Sequence, residues 1–152
     1  MKDLVCYIPI EVLSRELDYK IYLALKLLAQ GYKIVIGKKS ILHLHALKQR
    51  NPFIIFSKGM SIGQIQFHKK LKLKNAVMLD IKEEGGFFVE DAEILDGHDN
   101  EAVSFFDYIF LWGDVQKKIL EKHKPKIFWK KFVVTGYPSF DLLENKFIKY
   151  YK

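Results

Sequence analysis

The sequence predicts an α/β domain, with a mainly parallel sheet of about six strands packed between helices. Two observations carry that prediction. Short β-rich runs alternate with stretches of helical periodicity, and the segments joining them are short. Such alternation requires right-handed crossovers that lay helices on both faces of a parallel sheet. At 152 residues the chain has the size of one domain and can bury a core.

Residues 4–10 (LVCYIPI) read as the first strand. Ser14 is a plausible N-cap for the helix that follows, with Glu16 and Asp18 in its first turn. Leu17, Ile21, Ala24, Leu25 and Leu28 recur at helical spacing, and Gly31 suits the left-handed position after the helix. Residues 32–36 form a second strand closed by Gly37, and 40–49 a shorter helix stopped at Asn51-Pro52. The run FIIF (53–56) has the continuous apolar character of a strand buried on both faces. A loop, SKGMSIG, leads to a helix near 64–73. Residues 76–79 are a fourth strand with 80–86 as its loop, and 87–100 are expected to be loop. A helix over 100–106, a strand over 108–112, a helix over 115–123, a strand over 132–135 and a last helix capped by Ser139 complete a three-layer, Rossmann-like pattern.

Composition excludes several classes. With 49% hydrophobic and 28% charged residues, the chain is ordinary globular protein. No apolar run approaches the ~18–20 residues that span a bilayer, and the N-terminus lacks a signal-peptide pattern. The one cysteine, Cys6, lies in an apolar strand and reads as a buried thiol. These features point to the cytoplasm. The net charge of +7 is strongly segregated. Residues 19–79 contain no carboxylate, while 20–74 supply twelve Lys and Arg; residues 80–114 carry eleven carboxylates against Lys82 alone. Such a two-signed field suits either solvated faces or an anionic surface such as lipid headgroups. Nucleic acid is disfavoured, because no reader motif is present and the aromatics fall at core spacing.

Ligands of parallel sheets bind outside the carboxyl ends of the strands, so those loops hold the candidate site. The first loop gathers Glu11, Arg15, Glu16, Asp18 and Lys20. Glu11 at the strand exit is a candidate general base, and an Arg there can clamp an anion. A capped helix start with exposed ion pairs accounts for the same residues. Lys58 lies in a loop rich in backbone donors, a candidate anion cradle. The fourth loop, DIKEEGG, offers Glu83 as a second catalytic candidate, with Glu84 and Gly85 as binding residues. Adjacent side chains on extended backbone point opposite ways, so at most one of Glu83 and Glu84 readily faces the cleft. Gly113 and Gly136 follow the fifth and sixth strands, where glycine permits either a tight turn or close approach to a ligand. There is no P-loop, GxGxxG, nucleophile elbow or metal-ligand set, so no cofactor or metal is expected.

Taken in order, the segments IPIEVLSRELDYKIYLALKLLAQGYKIVIGKK, SKG, LDIKEEGG, DYIFLWGDVQKKIL and VVTGYPSFDLL resemble the N-terminal half of the bacterial surface carbohydrate (polysaccharide) biosynthesis protein family. That family resembles GT-B glycosyltransferases. The resemblance spans nearly the whole chain, with 91–99 least matched, and picks out Glu11, Arg15, Glu16, Leu17, Asp18, Lys58, Asp80, Glu83, Glu84, Gly85, Trp112, Gly113, Gly136, Pro138, Phe140 and Asp141. It implies an acceptor-side domain for a glycan or lipid-linked acceptor. A nucleotide-sugar donor would bind only with a second domain, which residues 1–152 do not include. A nucleotide-sugar 2-epimerase, a polyol-phosphate transferase half and a non-catalytic binding module are the rival readings. The basic segment is expected to face the inner side of the membrane peripherally.

Overall fold

The computed structural model describes residues 4–60, 62–83 and 90–150. Its strands are β1 (Val5–Ile10), β2 (Lys33–Lys38), β3 (Phe53–Ser57), β4 (Ala76–Ile81), β5 (Tyr108–Leu111) and β6 (Phe132–Val134). They form one sheet in the order β2-β1-β3-β4-β5-β6, and every neighbouring pair is parallel. The helices are α1 (Leu13–Ala29), α2 (Lys39–Leu47), α3 (Ile65–Lys72), α4 (Asp91–Asp96), α5 (Asn100–Phe105), α6 (Asp114–His123) and α7 (Pro138–Asp141). The expected Rossmann-like α/β domain is present. The chain reverses direction across the sheet between β1 and β3, and this switch point positions the site.

Two apolar clusters lie on opposite faces of the sheet. Tyr7, Phe53, Ile55, Met78, Ile109 and Leu111 pack under α2, α3, α5 and α6. Ile8, Phe56 and Ala24 form the other cluster, with Ile54, Leu79, Ile81 and Phe110 packed against it. The helical cover is unequal. Along β4, Ala76, Met78 and Asp80 are buried, whereas Val77, Leu79 and Ile81 are only partly covered on the α1 side. Crossovers that keep moving one way along a sheet all fall on one face. From β2 to β6 the chain steps away from β2 each time, which leaves α1 as the long helix on its side.

Sequence periodicity misplaced several details. α1 begins at Leu13, so Ser14 lies inside it, and no side chain of the N-cap residue Val12 caps it. Glu16 performs that task by accepting the N–H groups of Glu11 (2.8 Å) and Val12 (3.2 Å). The face α1 presents inward is Glu16, Tyr19, Lys20 and Ala24, while Ile21 (43%), Leu25 (59%) and Leu28 (50%) are exposed. The helix rotates to bury its ionic residues against the strand ends, and the apolar stripe turns outward. Its end follows expectation. Gly31, at φ 86°, closes a Schellman motif in which Tyr32 N–H bonds Leu27 O and Gly31 N–H bonds Leu28 O. Gly37 falls inside β2, and Asp80 and Ile81 belong to β4. Residues 91–96, expected to be loop, are helical, with Ile94 as the buried anchor of α4. Asp99 caps α5 through Glu101 N–H and Ala102 N–H. α7 begins at Pro138, one residue before the expected cap Ser139.

The segregated charges meet in space. Lys69 pairs with Glu101 (2.9 Å) and Lys72 with Asp107 (2.5 Å), joining the basic and acidic segments across the fold. Lys82 donates instead to the carbonyl of Gly97 (2.8 Å). A Cβ at Gly97 would stand 2.6 Å from that ammonium, so the glycine makes room for it. Among the described residues, no helix is long and apolar enough to cross a membrane.

Candidate functional site

Because all six strands are parallel, the residues leaving β1, β3, β4 and β5 emerge on one edge of the sheet. Glu11, Lys58, Glu83 and Gly113 are those residues. The first three are bonded to one another around the switch point. Glu83 places one carboxylate oxygen 2.6 Å from Tyr19 Oη and 2.7 Å from Lys20 Nζ, and the other 2.6 Å from Lys58 Nζ. Lys20 also donates to Glu16 (2.7 Å) and to Pro9 O (2.6 Å). Lys58 lies 3.5 Å from Glu16 and 3.3 Å from Glu11, whose other oxygen pairs with Lys39 at 2.7 Å. Three carboxylates thus face three ammonium groups, and the side chains of Glu16 and Glu83 have no solvent-accessible surface.

The electrostatics favour the ionised forms of Glu11, Glu16 and Lys58. Burial pulls the Glu16 pKa upward, but Lys20 and the backbone N–H of Glu11 outweigh it and hold the pKa at about 2. Glu11 is likewise lowered: partial burial opposes the shift, and Lys39 and Lys58 produce it. Lys58 is raised, because Glu83 outweighs the burial that would lower it. A carboxylate pinned between two cations is a poor proton acceptor, since base strength falls with pKa. Glu83 accepts the Tyr19 hydroxyl on one oxygen, which also pairs with Lys20, and is ion-paired to Lys58 on the other. The arrangement therefore suits binding and positioning by Glu11 better than proton transfer.

Asp80 braces the edge from below. Its Oδ1 accepts the N–H of Gly59 (3.1 Å), which fixes the loop carrying Lys58. Gly59 sits at φ 87°, a backbone conformation that glycine adopts without penalty. Burial raises the Asp80 pKa to about 6, against the opposing pull of Lys82 and Gly59 N–H.

Beside the ionic network stands an aromatic stack. The Trp112 ring lies parallel to Tyr137, with centroids 4.2 Å apart, and Phe140 packs edge-on to both. Tyr19 tilts against Tyr137 (5.8 Å) and so links the stack to Glu83. Trp112 Nε1 donates to Lys82 O (3.0 Å), tying β5 to the fourth loop. Gly113 and Gly136 flank this stack in sequence. Gly136, at φ 80°, is explained by its turn. Gly113, at φ −169°, has a conformation open to any residue, and a Cβ there would meet nothing within 4 Å. Neither turn geometry nor packing requires that glycine, which leaves room for a ligand to approach.

Of the expected site residues, the fold brings Glu11, Glu16, Lys58 and Glu83 together. Arg15 and Asp18 are exposed on α1. Glu84 and Gly85 lie outside the described residues. Sequence reasoning left Tyr19 and Lys39 out of the site and gave Lys20 no role in it. The i,i+4 spacing of Glu16 and Lys20 was an available signal, but it reads equally as a surface pair.

The fold and the site define a class: a Rossmann-like α/β domain with an ionic network at its switch point. No family model, curated protein or solved structure matches the chain.

Proposed function

We propose that the chain is the acceptor-side domain of a glycosyltransferase-like protein of surface polysaccharide biosynthesis. One observation carries this reading: the five segments behind the family resemblance all leave the sheet at its carboxyl edge, where ligands of such sheets bind. In this reading the ionic network orients a glycan or lipid-linked acceptor, the aromatic stack offers an apolar flank for a sugar ring, and a second domain supplies the nucleotide-sugar site. Lys69 and Lys72 are engaged by Glu101 and Asp107. Lys70 and Lys74 are then the cations that α3 and its C-terminal turn offer to an anionic membrane surface. The depressed pKa of Glu11 favours a second reading, a binding module whose carboxylates position and do not react.

Turnover separates the two. Residues 1–152 alone are expected to form no glycoside from a nucleotide sugar, because holding donor and acceptor together is worth ~7–11 kcal/mol of barrier. Addition of a donor-binding partner domain should restore transfer. In that assembly Glu11→Gln should lower the rate by ~10²-fold or more if Glu11 is a base, and several-fold at most if it only positions. Robust turnover by residues 1–152 alone would overturn the proposal.

A further inference from the structure

Next to the ionic network, the exit of β2 and the first turn of α2 border a wide-open surface cavity of about 470 Å³ lined by Ile10, Glu11, Lys38, Lys39, Ser40 and His43. Its charges do not balance. The Glu11 carboxylate is the one acidic group in the lining, and it is already divided between Lys39 on one oxygen and Lys58 on the other. Lys38 is exposed and has no ion pair among the described residues. Residues 19–79 contain no other carboxylate that could neutralise it locally. His43 adds no charge, because burial and the nearby Lys39 lower its pKa to about 4. The cavity therefore combines two ammonium groups, one hydroxyl and an apolar wall with an excess of positive charge.

We propose that this cavity binds a phosphate monoester, with Lys38, Lys39 and Ser40 as its donors. A phosphate offers several strong acceptor oxygens to these donors, and its charge-assisted bonds exceed what a neutral sugar hydroxyl would make. The volume falls in the range of small-molecule sites and exceeds that of phosphate alone, so it admits part of the esterified group. The inference extends the acceptor-side reading by naming the substrate class as a phosphorylated one, and for the identity of the esterified group it rests on that reading.

Amide chemical-shift mapping of the whole chain tests it, with inorganic phosphate, a hexose 1-phosphate and vesicles containing phosphatidic acid as separate probes. The expected result is saturable shifts confined to residues 10–11 and 38–43, weakened about tenfold or more in Lys38→Gln/Ser40→Ala. Lys118→Gln/Lys122→Gln, exposed on α6, should leave them unchanged. Saturation by the soluble phosphates without the vesicles assigns a soluble ester; perturbation of the same amides by vesicles assigns a lipid headgroup. No shift at 38–43 with any probe, or shifts spread evenly over the lysines of α3, would overturn the proposal. Phosphate binding at 38–43 without sugar transfer by the assembled protein would sink the transferase reading and leave the pocket in place. Transfer without phosphate binding would do the reverse.

Discussion

Replacing Lys20 by alanine is expected to destabilise the domain by about 3–5 kcal/mol, the usual cost of leaving buried charges without their partner. The Lys20 ammonium stands between Glu16 and Glu83, 2.7 Å from each, and both of those side chains are fully buried. Removing it leaves Lys58 as the one cation within 4 Å of the two carboxylates among the described residues. The bond to Pro9 O at the end of β1 is lost as well. The triple variant Lys20→Met/Glu16→Gln/Glu83→Gln should recover much of the loss, because neutral groups of similar size no longer carry an uncompensated charge. Urea unfolding of both variants decides the matter. A loss below about 1 kcal/mol for Lys20→Ala would place the network among solvent-screened surface pairs.

Acidification is expected to weaken the fold between pH 7 and pH 5. His68 is completely buried and His98 nearly so. Burial lowers their pKa values to about 4 and about 3, with Lys39 and Lys82 respectively adding to the shift. Both are therefore neutral in the native state and take up a proton only on unfolding once the pH falls below about 6.5. The unfolded state then binds more protons, so stability drops as pH falls through this window. Asp80 acts in the opposite sense. Its raised native value of about 6 means that the native state gains a proton first, and stability rises as pH falls from about 6 toward 4. At about 1.4 kcal/mol per unit, these two histidines and His43, which is also held at about 4, together lose about 6 kcal/mol by pH 5, and Asp80 returns about 1.4. The net loss is about 5 kcal/mol, a large share of a typical domain's stability. Below pH 4.5, protonation of Glu16 adds to the loss, since its native pKa lies near 2. Urea midpoints at pH 7, 6 and 5 check the sign, and His68→Phe should flatten the slope. Equal or rising stability at pH 5 would contradict these assignments.

The sheet was legible because each strand is a short apolar run between turn residues, and six such runs alternating with helices admit few topologies. The site was legible to the extent that topology decides it. Glu11, Lys58 and Glu83 follow three different strands, and only parallel pairing brings all three to one edge. What sequence could not supply was the rotation of α1. Leu17, Ile21, Ala24, Leu25 and Leu28 mark an apolar stripe, of which Ala24 is buried and Ile21, Leu25 and Leu28 are exposed. The helix turns Glu16, Tyr19 and Lys20 inward, because Glu83, 63 residues beyond Lys20, offers bonds to both Tyr19 and Lys20. Glu16 took over the capping role from Ser14 for the same reason. α4 was missed because its six residues are too few to show a period, and Ile94 alone among them is buried.

In the proposed reading, ligand binds at the carboxyl edge of the sheet, at the β1–β3 switch point. A crystal structure of the chain soaked with a hexose 1-phosphate measures this most directly. The sugar phosphate is expected beside Glu11 and Lys58, with its phosphate toward Lys38 and Lys39. Density for the ligand at the amino ends of the strands, or on the helical face formed by α3 and α6, would contradict it.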